Sequence, residues 1–209
     1  MPLRVLDHPL AAHIITHLRD KTTKPATFRT LAYQISLLLA IEATSDLETE
    51  PKEIDTPLER VTGRVISHEP LVVVPILRAG LGMVQPFGDI FPDVSVGYIG
   101  LERDHTTAKA RSYYCKLPPL AGAAGRHVFV VDPMLATGGS AVAALNIVKE
   151  HGASNPTLVS IVSSPEGVAE VEKHHPGTVI HTAALDRELN AKKYILPGLG
   201  DFGDRLYGT

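Results

Sequence analysis

The sequence predicts an α/β protein built on a parallel sheet, and two observations carry that prediction. The first is a set of short, uninterrupted, β-branched-rich runs at Leu71–Ile76, Val128–Val131, Leu158–Val162 and Thr178–His181. Runs without alternation suit strands covered on both faces, which is how a parallel sheet reads. The second is what lies between and after them: helix-length segments at Leu81–Phe91, Ser140–His151 and Pro165–His174. Strands alternating with helices imply βαβ units.

The remaining elements follow in chain order. From Pro25 to Thr44, apolar residues recur at Phe28, Leu31, Ala32, Ile35, Leu38 and Leu39, which is helical spacing. Pro25 suits the first turn, where its missing donor does no harm. Ile54 to Ser67, rich in Thr and Val, reads as a small β-hairpin, and Val94–Gly97 as a short further strand. From Asn190 to Thr209, Pro197 and four of the 17 glycines predict an irregular hood.

Composition narrows the function classes. With 209 residues, 44% apolar, 21% charged and a formal net charge of -3, this is an ordinary globular composition. It lacks the basic excess of a nucleic-acid binder. No apolar run approaches the roughly 18 residues of a spanning helix. Met1 to Asp20 lacks the apolar core of a signal peptide. The single cysteine, Cys115, permits no intramolecular disulfide and fits a reducing compartment, so a cytoplasmic protein is expected.

In a parallel sheet, ligands bind beyond the carboxyl ends of the strands. Directly after Val128–Val131 comes Asp132-Pro133-Met134-Leu135-Ala136-Thr137-Gly138-Gly139-Ser140, which leads into a helical stretch. Two glycines let successive N–H groups converge, the helix start adds its positive dipole end, and the Thr137 and Ser140 hydroxyls add donors. A phosphate monoester is the natural occupant. Asp132 is repelled by phosphate and should face ribose hydroxyls instead. The plainer reading, Asp132 capping the loop or helix, is outweighed by the strand before and the helix after.

This segment resembles the phosphoribosyl-diphosphate motif of type I phosphoribosyltransferases, and with one acid followed by Pro133 it is specifically similar to the uracil phosphoribosyltransferase family. Three further segments match in the family's order. Ile76-Leu77-Arg78-Ala79-Gly80-Leu81-Gly82-Met83 looks like the diphosphate loop, with Arg78 offering a fork of donors and Gly80 and Gly82 permitting close backbone approach. Tyr98-Ile99-Gly100-Leu101-Glu102-Arg103-Asp104 carries the matching Arg103, followed by an expected mobile flap from His105 to Ser112 and a return through Tyr113–Pro118. Tyr194-Ile195-Leu196-Pro197-Gly198-Leu199-Gly200-Asp201-Phe202-Gly203-Asp204 resembles the uracil-recognition hood.

The resemblance implies a type I phosphoribosyltransferase fold in one domain over residues 1–209, the hood coming mainly from 186–209 and the N-terminal segment. It implies that Arg78, Arg103, Asp132–Ser140 and Asp201 bind 5-phosphoribosyl-1-diphosphate (PRPP). The backbone at Ile195, Gly200 and Phe202, with Asp201, reads uracil. Asp132, Arg78, Arg103 and Asp201 are the catalytic candidates. The expected product is uridine monophosphate (UMP), in pyrimidine salvage. Magnesium should arrive on the substrate phosphates, a homodimer or higher homo-oligomer is expected, and GTP is a candidate activator. Three departures stand out: Glu102 beside the arginine in place of an aromatic residue, a more basic flap without Pro-Val, and Phe202 where alanine is common.

Several decoys are set aside. Gly198–Gly203 spells a dinucleotide fingerprint, but only six residues follow it. Asp201-Phe202-Gly203 has no kinase motifs around it. His13 and His17 share a helical face without further zinc ligands, so they read as exposed polar residues, and His174-His175 beside Pro176 reads as a helix end. Cys115 reads as an inert small filler. Two rival functions remain: transfer to a purine or orotate, and a fold-retaining regulator that binds RNA.

Overall fold

The computed structural model describes residues 3–67, 71–103, 110–120 and 127–209, the side chains of residues 103 and 110 excepted. The chain begins with strand β1 (Leu3–Val5), helix α1 (Pro9–Arg19) and helix α2 (Pro25–Ala43). Both helices start on a proline, and the His8 ring accepts a hydrogen bond from the Leu10 amide at 3.0 Å to cap α1. Strands β2 (Thr49–Asp55) and β3 (Arg60–Ile66) form a separate hairpin. Then come β4 (Val72–Leu77), a 3-10 turn (Ala79–Met83), α3 (Val84–Ile90), β5 (Ser95–Val96), β6 (Tyr98–Arg103) and β7 (Ala110–Lys116). The second half holds β8 (Val128–Val131), β9 (Met134–Leu135), α4 (Gly139–Glu150), β10 (Thr157–Ser163), α5 (Pro165–His174) and β11 (Ile180–Leu185). It ends with β12 (Glu188–Leu189), β13 (Ile195–Leu196) and α6 (Phe202–Tyr207).

The main sheet runs β1-β11-β10-β8-β4-β6-β7, with β5 added to β4 and β9 to β10. Its pairs are parallel except β6 with β7. The two-residue period of the strands explains the unbroken apolar runs. Val73, Phe129, Val131, Val159 and Ile161 join Ile14, Phe28, Ile35, Leu39 and Phe87 from α1, α2 and α3 in one core. Val72, Val74, Val128, Val130 and Leu158 pack with Leu145, Val148, Val168 and Val171 from α4 and α5 in another. Each face is covered, so each face must be apolar.

Differences from the sequence expectations have local causes. The last parallel strand is Ile180–Leu185 rather than Thr178–His181: the Thr178 amide bonds His175 O at 3.1 Å to close the α5 exit, and pairing with β10 runs on to Leu185. The hairpin begins at Thr49, because polar residues pair along it, as in Arg60 with Asp55 at 3.1 Å. Helix 81–91 divides into the 3-10 turn and α3. The terminal stretch is not wholly irregular. It contains α6, capped by Asp201 at one end and by Gly208, in a left-handed conformation, at the other. Residues 110–112 of the expected flap belong to β7, and residues 105–109 lie outside the described ones. His174 and His175 end α5 and His175 is buried there, His181 is buried in β11, and Cys115 is exposed, which corrects its reading as a filler. Partial desolvation raises the pKa of the Cys115 thiol.

Candidate active site

Strands β4 and β8 lie side by side, in register up to Pro75 and Val131. From β4 the chain proceeds to β6 on one side, and from β8 to β10 on the other. The crevice beyond their carboxyl ends is therefore a topological switch point, where such sheets open for ligands. Arg78 and Asp132 stand on the two strand ends.

The loop after β8 is held by its outer neighbours. The Asp132 amide bonds Val159 O at 3.1 Å, and Pro133 O accepts from the Ile161 and Val162 amides. Met134 and Leu135 continue the sheet as β9 beside Val162 and Ser163. Ser164 then closes the support: its amide bonds Leu135 O at 2.9 Å and its hydroxyl donates to Ala136 O at 2.6 Å. The same hydroxyl caps α5 by accepting from the Gly167 amide at 3.0 Å. Gly167 is required here, because a Cβ would lie 2.4 Å from Ala136 O.

Gly138 turns the loop into α4 with φ of 81°, a conformation L side chains rarely adopt, and a Cβ would meet Glu170 and Gly167 O at 2.9 Å. Gly139 faces open space except for Thr137 Oγ1 at 3.9 Å. The Val142 amide makes the first helical bond, to Gly138 O at 2.8 Å, so the first-turn amides before it have no intrahelical partner. This is an anion cradle.

Asp132 is partly buried at its floor, and its Oδ1 accepts a long 3.4 Å bond from the Met134 amide. Burial pushes its pKa up from 3.8 to about 7, against the small lowering effect of that bond.

Across the crevice, Arg78 is exposed, and its carbonyl accepts from the Leu81 amide at 3.1 Å and the Tyr207 hydroxyl at 3.2 Å. The close approach that Gly80 and Gly82 permit is to the protein's own chain. A Cβ on Gly80 would lie 2.5 Å from Val131 O, and one on Gly82 would meet Leu206 at 2.8 Å and Phe202 at 3.3 Å. These glycines seat the segment after β4 on β8 and α6. The backbone of Arg103 ends β6; its side chain lies outside the described ones.

The hood is fastened by residues that the sequence reading missed. Arg19 of α1 forms a two-point ion pair with Asp186, at 2.5 and 2.8 Å, and also donates to Gly198 O at 2.8 Å. Asp186 in turn accepts from the Gly198 amide at 2.8 Å. Arg205 of α6 donates to Leu18 O, to Leu199 O at 2.7 Å and to Asp20 O at 2.7 Å, and lies 4.4 Å above the Phe28 ring. Only the Ser164-Pro165 pair ahead of a helix was legible as a capping signal; the arginine partners are set by distance in space.

Between hood and loop is a cavity of about 240 Å³. Met134 and Ala136 line it from the loop after β8, Ala79 from beside Arg78. Ile195, Gly200, Asp201, Phe202 and Gly203 line it from the hood, with Lys193 and Tyr194. Six of the sequence-selected residues thus meet in one cavity. Phe202 belongs to its wall while its ring is fully buried, edge-on to Phe28 at 5.3 Å. Asp201 Oδ1 accepts from the Asp204 amide at 2.9 Å. Among the described residues no three His, Cys, Asp or Glu side chains gather as a metal site, and His13 and His17 pack ring edge to ring face at 4.6 Å.

The sequence matches the family model described as uracil phosphoribosyltransferase over residues 5–209. It is 53% identical over 209 residues to the uracil phosphoribosyltransferase of Thermosipho africanus, covering 100% of both chains. It is 51% identical over 205 residues to that of Finegoldia magna, covering 98% of this chain and 97% of the relative. A solved structure from Aquifex aeolicus aligns with a TM-score of 0.91 at 35% identity, covering 99% and 98% of the two chains. A hypoxanthine phosphoribosyltransferase from Trypanosoma cruzi aligns with a TM-score of 0.52 at 13% identity, covering 77% and 75%, which shows a shared fold. A type I phosphoribosyltransferase sheet, the switch-point crevice and full-length identity near one half lead to one statement: this chain belongs to the uracil phosphoribosyltransferase family.

Proposed function

We propose that this protein joins uracil to PRPP to give UMP and diphosphate, at the crevice between β4 and β8. The observation that carries the reading is the single cavity shared by the phosphate loop and the hood backbone. Uracil presents two carbonyl acceptors around an N–H, a pattern that backbone groups at Ile195, Gly200 and Phe202 match without charged side chains. Cytosine, whose amino group reverses one polarity, is rejected by the same groups.

In this reading the first turn of α4, with Thr137 and Ser140, holds the 5-phosphate. Asp132 accepts hydrogen bonds from the ribose hydroxyls, which stabilise its charged form and offset its burial. Arg78 and Arg103 neutralise the leaving diphosphate, and Asp201 borders the ribose. Magnesium enters as part of the substrate, held by phosphate oxygens and water. As the anomeric bond to diphosphate breaks, positive charge grows on the sugar and negative charge on the leaving group. The protein acts by holding the reactants and by placing charges where they develop.

The coarser assignments extend as follows. Residues 1–209 act as one domain. The β2–β3 hairpin exposes Ile54, Val61 and Ile66, and Leu58 at its turn is 95% exposed. A lone two-stranded hairpin is marginal in water, which supports a homo-oligomer that covers it. The exposed thiol of Cys115 supports a reducing, cytoplasmic setting, and among the described residues no helix is long and apolar enough to cross a membrane. Activation by GTP rests on the family resemblance.

The test is UMP formation from uracil, PRPP and magnesium, with cytosine, orotate and hypoxanthine alongside, with and without GTP. Turnover with uracil alone is expected. Equal turnover with another base, or PRPP binding without turnover, would refute the reading.

A further inference from the structure

Lys193 is the only described residue other than glycine with a positive φ, at 66°. The turn between β12 and β13 imposes it. The Asn190 carbonyl accepts from the Lys193 amide at 2.8 Å, and the Asn190 side chain accepts from the Lys192 and Tyr194 amides at 2.9 and 3.0 Å. Glycine or asparagine takes such a position at less cost than lysine. An outlier of this kind, at the wall of a cavity, points to a use for the side chain.

That use follows from charge. Lys193 is the one cationic residue lining the cavity among the described residues. Lys193 is exposed. The pKa of Glu166 of α5 is lowered first by the bond its carboxylate accepts from the Leu189 amide at 2.9 Å and, among smaller influences, by the charge of Lys193, while Asp201, which also lines the cavity, caps α6. No carboxylate lies within salt-bridge distance of Lys193 among the described residues. With no ion pair to hold it elsewhere, the ammonium on its flexible stem can reach over the cavity it lines.

Resting on the placement of uracil in this cavity, we propose that Lys193 stabilises the negative charge uracil gains as its N1 proton is lost. The N1–anomeric carbon bond forms as the bond from that carbon to the diphosphate oxygen breaks. Diphosphate leaves with the electron pair, and the N1 proton passes to water. No dedicated general base is needed, because the ammonium favours the ionised base throughout.

The test compares K193M, K193G and K193R, with uracil and the more acidic 5-fluorouracil as substrates. Loss of the cation in K193M and K193G should lower kcat/KM for uracil about tenfold, equivalent to about 1.4 kcal/mol. For 5-fluorouracil the fall should be about threefold, because that base needs less help to ionise. K193R should retain most of the activity, and PRPP affinity by calorimetry should stay the same in all three. K193G, freed from the left-handed constraint, should fold at least as well as the parent and guards against a folding artefact. Equal losses for the two bases, weaker PRPP binding, or parental rates in K193G would overturn the proposal. A136L, which fills the cavity, separates the two levels. If it leaves uracil kinetics unchanged, the cavity is not the base site and both readings fall. If it abolishes uracil turnover while the Lys193 variants match the parent, only the lysine role falls.

Discussion

Replacing Asp132 with asparagine should make the protein more stable and less active, in a pH-dependent way. Burial raises the folded-state pKa of Asp132 from 3.8 to about 7. Between those values the folded protein binds a proton that the unfolded chain has released, so this group's contribution to stability falls as pH rises toward 7. Integrating the linkage relation, the carboxylate costs about 1.7 kcal/mol at pH 5 and about 4 kcal/mol at pH 8. D132N has no such titration. Its stability advantage over the parent should therefore grow by about 2.5 kcal/mol between pH 5 and pH 8. Urea denaturation of both proteins at the two pH values measures this, and parallel stabilities would refute the perturbed carboxyl. The same variant loses charge-assisted bonds to the ribose diol, together about 3 kcal/mol, and should turn over about 100-fold more slowly. Parental steady-state kinetics in folded D132N would refute the ribose role.

The other predictions concern single supports of the site and fold. Arg78→Ala should weaken PRPP binding about tenfold or more, by the loss of about 1.5–3 kcal/mol of charge-assisted bonding; unchanged affinity by calorimetry would contradict its place at the diphosphate. Ser164→Ala removes both the α5 cap and the bond to Ala136 O, and should cost about 2–3 kcal/mol and raise the KM for PRPP; a loss below about 0.5 kcal/mol would show the loop is held without it. His181 is buried in β11, where burial first and Arg4 second lower its pKa from 6.5 to about 4, against the opposing pull of Asp46. Stability is unaffected by this group above pH 6.5 and is lost as pH falls toward 4, by about 3 kcal/mol. His181→Leu should move the acid unfolding midpoint to lower pH, and an unmoved midpoint would assign acid sensitivity elsewhere.

The sheet and the glycine turn after β8 were legible in the sequence, because both are written in local chemistry. An unbroken apolar run such as Val128–Val131 can only be a strand covered on both faces or a piece of buried helix, and its length decides. Asp132 at its end and the Gly138-Gly139 turn that follows are read from neighbouring residues alone as a turn suited to presenting amides to a phosphate. The hood residues Ile195, Gly200, Asp201 and Phe202 were legible only through the resemblance to the family; Ala79, Lys193, Tyr194 and Gly203, which also line the cavity, were not among the residues it implied. Tertiary structure alone decided what those segments rest on. Gly80 and Gly82 read as glycines that permit close backbone approach, but that the atoms approached include those of Val131, Leu206 and Phe202, far along the chain, is decided by the fold. Arg19 meets Asp186 across 167 residues, and Arg205 reaches Leu18 across 187. The left-handed backbone of Lys193 is set by the turn bonds of Asn190, not by any preference of lysine. A residue's local tendency is carried by its own side chain; its partner and its burial are properties of the fold, and they decide that a carboxyl titrates near 7 and a histidine near 4.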